Sequence, residues 1–410
     1  MMDIFLTPNN KPFYISAKPV GATCNLDCTY CYYLEKSLLY PGRSKTIMTD
    51  DMLHRYVKMY IESHMRAEVM FTWHGGEPLL RGINFYKQAL KYQQYYASKN
   101  NVRICNTLQT NGTLLNDDWC GFFKENNFLI GISIDGPAQY HDHYRVNKAG
   151  ASTFSQAYRG MKLLQKHGVE YNILSVVNNL NVEHPLEIYN FFKQSGARYI
   201  QFTPVVERFI EDEEDEFYLS SPGETKETSV TEWSVGAQAY GRFLCAIFDE
   251  WVRKDVGEFF VINFDAMLAN WAGEDPPTCV HARTCGHAMA MEYNGDVYAC
   301  DHYVFPGYYR GNIRDKSLYR MAYSPEQIQF GNDKKDRLPQ QCKSCKYLFA
   351  CNGECPKNRI LKTKDGEPGL NYLCEGFQLF YRHIEPYMEF MVNELRNNRS
   401  PANVMKAGLR

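Results

Sequence analysis

Six short apolar stretches of strand character alternate with amphipathic helical stretches between residues 13 and 206. The strand candidates are Phe13–Ala17, Val69–Trp73, Val102–Gln109, Leu129–Ile134, Tyr171–Val177 and Tyr199–Val205. The helical candidates are Asp50–Met65, Ile83–Ser98, Asn116–Glu125, Thr153–His167 and Pro185–Gln194. Such alternation predicts parallel βα units. Because a closed barrel of this kind has eight units, we predict an α/β fold with an open, partial (β/α)6 TIM-like barrel; periodicity alone also allows a doubly wound sheet.

In either fold, functional groups gather at the carboxyl ends of the strands. Three cysteines follow the first strand there, Cys24, Cys28 and Cys31, in the spacing CxxxCxxC. Three thiolates can hold three irons of a 4Fe–4S cluster and leave the fourth iron open, and an open position is typical of a catalytic metal site. The alternative is a zinc knuckle with a fourth ligand such as His54 or His64.

The length and composition indicate a globular, metal-binding protein of two or three domains. The chain has 410 residues, a formal net charge of -2 and 14 cysteines. No basic field indicates nucleic acid, and no apolar run is long enough for a membrane span. The first residues lack the apolar core of a signal peptide, so we expect a cytoplasmic protein. In that compartment, cysteines are more often metal ligands than disulfides.

Eight further cysteines lie in the last third of the chain. They are Cys279, Cys285, Cys300, Cys342, Cys345, Cys351, Cys355 and Cys374. Two sets of four would saturate two 4Fe–4S clusters or, equally, two tetrahedral zinc ions, and the spacing does not decide between them. We interpret the remaining Cys105, Cys120 and Cys245 as ordinary thiols.

An acidic run at Glu211–Glu216 and the polar stretch after it indicate a mobile loop and a domain boundary. A helix is expected at Ala237–Lys254, and Asn294-Gly295 predicts a two-residue hairpin turn. The tail from Arg399 onward is expected to fray. We therefore divide the chain into a barrel at 1–230, a helical linker at 231–275, a cysteine-rich domain at 276–385, and a helix end and tail at 386–410.

These residues together resemble the radical S-adenosylmethionine (SAM) enzymes with a SPASM extension, and among them the anaerobic sulfatase-maturating enzymes. The resemblance extends from Ile15 to about Ile384. Its markers are the CxxxCxxC motif with Tyr30 and Tyr32 beside its last cysteine, three motifs at predicted strand ends, and the spacing of the eight later cysteines. The three motifs are Gly75-Gly76-Glu77-Pro78, Gln109-Thr110-Asn111-Gly112 and Ser133-Ile134-Asp135-Gly136.

The resemblance implies a SAM-binding 4Fe–4S cluster on Cys24, Cys28 and Cys31. It also implies that SAM is contacted by Tyr30, Gly76, Ser133, Arg145 and Val206. Arg145 suits a carboxylate because its guanidinium is a planar fork of donors. Without the resemblance, Arg145 would be interpreted as a surface ion pair with Asp142.

Two auxiliary 4Fe–4S clusters are implied in the same way. The first would be held by Cys279, Cys285, Cys300 and Cys355, and the second by Cys342, Cys345, Cys351 and Cys374. Asp301 matches the general base of the family, which must lie within hydrogen-bond reach of the proton it takes. Its alternative interpretation is a surface aspartate at a hairpin edge.

The implied reaction is the radical SAM oxidation of a serine or cysteine in a sulfatase to Cα-formylglycine (3-oxoalanine) under anaerobic conditions. The implied partners are an unfolded sulfatase segment of the Cys/Ser-x-Pro/Ala-x-Arg type and an electron donor such as flavodoxin or ferredoxin. The acidic run could attract the arginine of that segment. Two alternatives stand beside this hypothesis: a SPASM peptide maturase that forms thioether or carbon–carbon crosslinks, and a zinc-stabilised binding module.

Overall fold

A computed structural model describes residues 12–40, 46–64, 67–211, 217–219 and 229–409. The chain divides into two compact units, each built from separate stretches of sequence. Unit 1 comprises Met1–Thr23, Lys36–Leu108 and Gly286–Gly331. Unit 2 comprises Cys24–Glu35, Gln109–Cys285 and Asn332–Arg410.

Fifteen strands, numbered in chain order, are β1 Tyr14–Ala17, β2 Glu68–Trp73, β3 Arg103–Thr110, β4 Leu129–Ser133, β5 Tyr171–Val177, β6 Tyr199–Pro204, β7 Arg208–Glu211, β8 Phe217–Leu219, β9 Ser229–Val230, β10 Phe260–Val261, β11 Ala288–Met291, β12 Asp296–Tyr298, β13 Tyr309–Asn312, β14 Leu361–Lys362 and β15 Pro368–Leu370 in the described residues. Thirteen α-helices there are α1 Asp50–Glu62, α2 Ile83–Asn100, α3 Asp117–Glu125, α4 Ala138–Tyr144, α5 Phe154–Lys166, α6 Pro185–Gln194, α7 Ala237–Lys254, α8 Ile262–Ala272, α9 Leu318–Ala322, α10 Pro325–Asp336, α11 Gln340–Lys343, α12 Leu348–Cys351 and α13 Cys374–Arg396. The six predicted βα strands correspond to β1–β6, with end points shifted by a residue at most.

The sheet of unit 1 is built around β1. This strand runs parallel to β2 on one side and parallel to β11 on the other, with Ile15 opposite both Phe71 and Met289. Alternate side chains of β1 and β2 are buried, as expected for strands that face a packed core. The helix α1 begins at Thr49, whose side chain accepts a hydrogen bond from the Met52 amide at 3.2 Å.

The sheet of unit 2 contains β4, β5, β6 and β10, each parallel to its neighbour. The long helices α7 and α13 pack together in this unit through aromatic side chains. Phe248 contacts Phe380 with ring centroids 6.3 Å apart, and Tyr240 contacts Phe377 at 5.9 Å. A separate small sheet is formed by the antiparallel strands β7, β8 and β9.

Two sequence predictions differ from the structure in detail. The Asn294-Gly295 hairpin forms, but its loop has three residues, 293–295, and not two. The loop is longer because the Glu292 amide donates to the Asp296 carbonyl oxygen, so the ladder of the hairpin ends at that pair. Gly295 has φ +90°, which a three-residue loop with a left-handed last position requires. The tail expected to fray forms a 3-10 helix at Pro401–Lys406, and the buried Val404 side chain fixes it.

Residues 212–216 of the acidic run lie outside the described residues. In the parts of the chain that the structure describes, no helix is long and apolar enough to cross a membrane.

Candidate active site and cluster sites

The three cysteines of the CxxxCxxC motif share one apolar patch in unit 2. Cys28 is buried there with Leu26 and Tyr30, and Cys24 and Cys31 pack against the same patch. Burial raises the pKa of the Cys28 thiol to about 12, and charge on Cys31 and Cys24 would raise it further. Cys28 is therefore a neutral thiol near pH 7 unless a bound cation stabilises its thiolate, and three neighbouring sulfur donors fit an iron–sulfur cluster.

The Gln109-Thr110-Asn111-Gly112 motif supports the first of these cysteines. The Cys24 sulfur accepts hydrogen bonds from the Leu26 amide at 3.4 Å and from Asn111 Nδ2 at 3.7 Å. Asn111 Nδ2 also donates to Asn25 Oδ1 at 2.9 Å, and Asn25 donates to Thr113 Oγ1 at 2.9 Å. The end of β3 thus fixes the start of the cysteine loop.

A buried polar network joins the cysteine loop to the end of β4. Arg145 Nε donates to Asp135 Oδ2 at 2.9 Å, and the Tyr30 hydroxyl donates to the same oxygen. Asp135 Oδ1 accepts from the Val176 amide at 2.9 Å. Asp135 is 0% exposed and the Arg145 side chain 9%. Because only Nε is used by Asp135, the Nη groups of Arg145 stay available for a ligand carboxylate.

The surface interpretation of Arg145 is wrong. Asp142 instead accepts hydrogen bonds from the Thr153 and Phe154 amides, at 2.7 and 2.8 Å, where α5 begins. Burial opposes the charge on Arg145, but Asp135 and its other neighbours hold its pKa above the usual value. Arg145 is therefore a buried, permanently charged side chain.

Ser133 and Val206, the other predicted SAM contacts of unit 2, lie at strand ends. Gln109 Nε2 donates to Ser133 Oγ at 2.9 Å, so the Ser133 hydroxyl keeps its own proton for a ligand acceptor. Val206 follows β6, is 3% exposed, and its carbonyl accepts from Lys357 at 3.0 Å.

A close approach of backbone within the protein explains why residue 76 is a glycine. A Cβ at this position would lie 1.9 Å from the Thr23 carbonyl oxygen. The approach is fixed by hydrogen bonds from the Gly76 amide to Gly21 O at 2.8 Å and from the Glu77 amide to Thr23 O at 2.9 Å. The glycine therefore brings the β2 loop against the segment just before Cys24. The contact of Gly76 with SAM stays a prediction.

We expect Gly76→Ala to lower the free energy of unfolding by about 3 kcal/mol, the upper end for overpacking, because the obstructing atom is backbone. Urea unfolding of the two proteins measures this. Gly121→Ala is the matched control, since a Cβ there meets nothing within 4 Å and alanine favours the helix α3. Equal losses in both variants would contradict the explanation.

Lys18, His74 and Asp301 meet in unit 1, at the carboxyl ends of β1 and β2. Lys18 is completely buried and binds the Asp301 carboxylate in an ion pair. Its Nζ also donates to His74 Nδ1 at 2.8 Å, and the Gly75 amide donates to the same nitrogen at 2.8 Å. Because Nδ1 accepts both bonds, the proton of neutral His74 is on Nε2.

The charges of this group follow from its burial. Burial, followed by the charge of Lys18, lowers the pKa of His74 to about 4, so the ring is neutral at pH 7. Burial opposes ionisation of Asp301, but Lys18 and the neighbouring histidines hold its pKa well below the usual range. Asp301 is thus an ionised carboxylate with a side chain 24% exposed, which contradicts its interpretation as a surface aspartate.

His141 gives the protein a predictable response to acid. It is 1% exposed. Burial lowers its pKa to about 4, Arg145 acts in the same direction, and Asp135 and Asp142 oppose the shift. The unfolded chain, with a histidine pKa of about 6.5, binds the proton first as the pH falls. The contribution of neutral His141 to the free energy of unfolding is therefore complete above pH 6.5 and is lost as the pH falls toward 4. At pH 5 the loss is about 2 kcal/mol.

When the pH is lowered from 7 to 5, the free energy of unfolding should fall less in His141→Gln than in the unchanged protein. The difference should be about 2 kcal/mol. Urea unfolding at both pH values measures it. His143→Gln, on the exposed side of the same helix, should retain the full pH dependence. The same pH dependence in His141→Gln and the unchanged protein would contradict the assignment.

The eight later cysteines fall into two groups. Cys342, Cys345, Cys351 and Cys374 line one cavity of unit 2, and Gln378 Nε2 donates to the Cys374 sulfur at 3.6 Å. Cys279, Cys285 and Cys355 interact electrostatically with Lys334, whose Nζ donates to the Cys279 carbonyl oxygen at 2.6 Å. Cys300, the fourth predicted ligand of that set, follows β12 in unit 1.

Buried polar atoms beside Cys279 fit a bound group. Thr278 Oγ1 and His281 Nδ1 are buried and have no hydrogen-bond partner among the described residues. A cluster carries sulfur atoms that accept hydrogen bonds. In the described part of the chain, no three His, Cys, Asp or Glu side chains are close enough to bind a single metal ion.

The two histidines of the zinc alternative are engaged elsewhere. His54 Nε2 bonds the Tyr96 hydroxyl at 2.8 Å. Both ring nitrogens of His64 bond backbone carbonyls, of Tyr60 at 2.9 Å and Phe13 at 3.1 Å. Of the cysteines interpreted as ordinary thiols, Cys120 is buried, and Cys105 and Cys245 are half-buried.

The fold and these cysteine sites define a radical SAM enzyme. Residues 19–192 match the Radical SAM superfamily, and residues 279–346 match the SPASM iron–sulfur cluster-binding domain. This confirms the prediction of a SAM-dependent oxidoreductase with iron–sulfur clusters, and it overturns the zinc-module alternative.

Within that class, the chain belongs to the anaerobic sulfatase-maturating enzymes. It is 53% identical to the serine-type enzyme of Bacteroides thetaiotaomicron, over 98% of this chain and 96% of the relative. It is 36% identical to the serine-type enzyme of Klebsiella aerogenes, over 91% and 85%. Identity to the cysteine-type enzyme of Clostridium perfringens (strain 13 / Type A) is 31%, over 94% and 100%.

Solved structures confirm the predicted fold. Native anSMEcpe with bound AdoMet matches with a TM-score of 0.82 at 30% identity, over 93% of this chain and 100% of that one. The complex of anSMEcpe with AdoMet and the Cp18Cys peptide matches with a TM-score of 0.81 at 30% identity, over 94% and 100%. Streptococcus suis SuiB bound to S-adenosylmethionine matches with a TM-score of 0.57 at 14% identity, over 88% and 75%, a likeness of fold alone.

Four side chains of these sites were not assigned a role from the sequence. They are Lys18, His74, Asn111 and Asp135. Asn111 and Asp135 stand inside recognised motifs, so their position was a usable signal. Lys18 and His74 each directly follow a predicted strand, but a lone lysine or histidine at a strand end does not reveal its partner.

Proposed function

We propose that this enzyme oxidises a serine, and also a cysteine, in an unfolded sulfatase segment to Cα-formylglycine. The observation that carries the proposal is the Asp301 carboxylate, held ionised by the completely buried Lys18. Serine is included because the relatives at 53% and 36% identity are named serine-type. Cysteine is included because relatives named cysteine-type match over nearly the whole chain.

The cofactors supply one chemical step: SAM bound to the first 4Fe–4S cluster yields the radical that removes a hydrogen atom from the Cβ of the substrate. The three cysteines of the motif would hold that cluster. Arg145 would bind the SAM carboxylate through its free Nη groups, and the Ser133 hydroxyl would donate to a second polar atom. Asp135 and Tyr30 keep Arg145 in place.

Asp301 would accept the proton of the substrate hydroxyl or thiol. A serine CH₂OH becomes CHO by losing two protons and two electrons. One proton and one electron would leave together as the hydrogen atom, and the second proton would go to Asp301. An auxiliary cluster held by four of the eight later cysteines would supply the acceptor for the second electron. A cysteine gives the thioaldehyde in the same way, and water then releases hydrogen sulfide. Lys18 would orient the carboxylate for this transfer.

Matched peptides test the proposal. Reconstituted protein is incubated anaerobically with SAM, dithionite and Ser-, Cys- or Ala-containing peptides of the Cys/Ser-x-Pro/Ala-x-Arg type. We expect the serine peptide to lose two hydrogens and to react with a hydrazine, which captures aldehydes. A crosslinked peptide, which has no aldehyde, would not react with the hydrazine. Cleavage of SAM with both the serine and the cysteine peptide unchanged would refute the function.

The electron for SAM cleavage would come from a small carrier such as flavodoxin or ferredoxin. Replacing dithionite by each reduced carrier in the same assay tests this, and formation of aldehyde only with dithionite would contradict it.

A further inference from the structure

A buried lysine and a half-buried arginine lie beside the later cysteines of unit 2. Lys334, near the end of α10, is 0% exposed. Its Nζ donates to the carbonyl oxygens of Cys279 at 2.6 Å and Val280 at 2.8 Å. These partners are neutral, so they solvate the ammonium group without cancelling its charge.

The thiols around Lys334 are those of Cys279, Cys285 and Cys355. Burial raises the pKa of Cys285 to about 11, and Lys334 acts in the opposite direction. Burial lowers the pKa of Lys334, and each of these thiolates opposes that shift by favouring the charged form of the lysine. The ammonium group therefore compensates negative charge at the predicted first auxiliary site.

Arg359 is a second cation that interacts with cysteines of both groups. Its guanidinium is fixed by three backbone carbonyls, with Nη1 to Lys334 O at 2.6 Å, Nε to Gly353 O at 2.9 Å and Nη2 to Asn352 O at 3.1 Å. These acceptors are again neutral.

The thiols that interact with the Arg359 charge belong to both groups. Cys355 is in the first set, and Cys342 and Cys351 are in the second. A single fixed cation therefore acts on both predicted auxiliary sites.

Several carboxyl groups oppose these cations at the thiols, and the buried one among them is Glu354. Glu354 is 4% exposed and accepts hydrogen bonds from Asn358 at 3.0 Å and Asn371 at 2.7 Å. Burial raises its pKa, against those amides and Lys334. Because burial favours the neutral form of Glu354, this carboxyl group offsets the two cations less than an exposed carboxylate would.

We propose that Lys334 and Arg359 raise the reduction potentials of the auxiliary clusters, Lys334 that of the first and Arg359 those of both. The proposal rests on the cluster ligands of the proposed function. Adding an electron makes a cluster more negative, and a fixed cation in a medium of low dielectric stabilises that form. The substrate loses its second electron, and the cluster that takes it up is reduced by one electron.

Redox titration of the auxiliary clusters alone tests this. Cys24→Ala, Cys28→Ala and Cys31→Ala together remove the SAM cluster, and the reconstituted protein should bind about eight irons in two clusters. Midpoint potentials are followed by low-temperature EPR. We expect Lys334→Met to disfavour reduction of one cluster at least tenfold, about 59 mV for one electron, and Arg359→Gln to disfavour reduction of both.

Two variants separate charge from structure. Arg359→Lys keeps the charge and should restore the potentials. Lys346→Met removes a cation directly after Cys345 whose side chain is 68% exposed, and it should leave the potentials unchanged because solvent screens it. Unchanged potentials in Arg359→Gln, or an equal shift in Lys346→Met, would overturn the proposal.

If Lys334→Met loses iron, Arg359→Gln and Arg359→Lys decide the question by themselves. The titration contains no peptide, so a failure of the proposed function appears in the peptide assay. If the cluster ligands are assigned wrongly, the iron content will differ from about eight per chain. If the two cations do not act on the clusters, the midpoint potentials will not change in their variants.

Discussion

We expect Asp301→Asn to slow peptide oxidation about 10²–10⁴-fold, the range over which a positioned general base contributes, while SAM is still cleaved. Asparagine has nearly the same shape but cannot take up the proton of the substrate. Removing the carboxylate leaves the charge of Lys18 uncompensated and should lower stability. The amide oxygen of asparagine can still accept a hydrogen bond from Lys18, which also bonds His74, so the local geometry should be kept. Aldehyde and 5′-deoxyadenosine are measured in the same anaerobic reaction.

The ratio of the two products distinguishes this role from a structural one. A misfolded variant loses both products together, whereas a missing base uncouples them. Asp315→Asn, an exposed aspartate of the same unit, is the control and should retain the ratio. An Asp301→Asn enzyme that forms aldehyde at the original rate would remove Asp301 from the reaction.

We expect Arg145→Gln to be the most destabilising of the variants considered, with a loss of about 3–5 kcal/mol in the free energy of unfolding. Removing one partner of a buried ion pair leaves the other charge uncompensated, here on Asp135. The affinity for SAM should fall with it, because a charge-assisted hydrogen bond contributes about 1.5–3 kcal/mol. Urea unfolding and equilibrium binding of SAM measure the two effects.

An exposed pair provides the comparison. Lys166 and Asp117 are 2.7 Å apart, with side chains 65% and 62% exposed, so Lys166→Gln should lower the free energy of unfolding by at most about 1 kcal/mol.

Arg145→Lys keeps the charge but not the planar fork of donors. It should therefore recover more stability than SAM affinity, and equal recovery of both would argue against a direct contact with SAM.

The fold class and the strands of the barrel could be predicted because their signals are local in sequence, and the cluster ligands stay predictions. Strand and helix periodicity gave β1–β6 to within a residue at each end, and Thr49 caps α1 as its residue type predicts. The α4 helix at Ala138–Tyr144 was not predicted because its seven residues give no clear periodicity. The helix is fixed instead by contacts such as that of His141 with Thr153.

The partners of the buried charges could not be predicted. Arg145 lies three residues from Asp142 in sequence, yet it binds Asp135, ten residues away. Asp301 binds a lysine 283 residues before it. Local spacing favours the nearer partner in the first case and suggests none in the second, because such pairs are set by which strand ends meet.

The position of β1 determines where the chain can be shortened. Its two neighbours are β2, some 50 residues later, and β11, some 270 residues later. A chain cut just before β11 would leave one side of β1 without its hydrogen-bonding partner, and an uncovered edge of this kind pairs readily with other chains. The SAM-binding part is therefore not a detachable module: expressed without the residues after 285, it should aggregate.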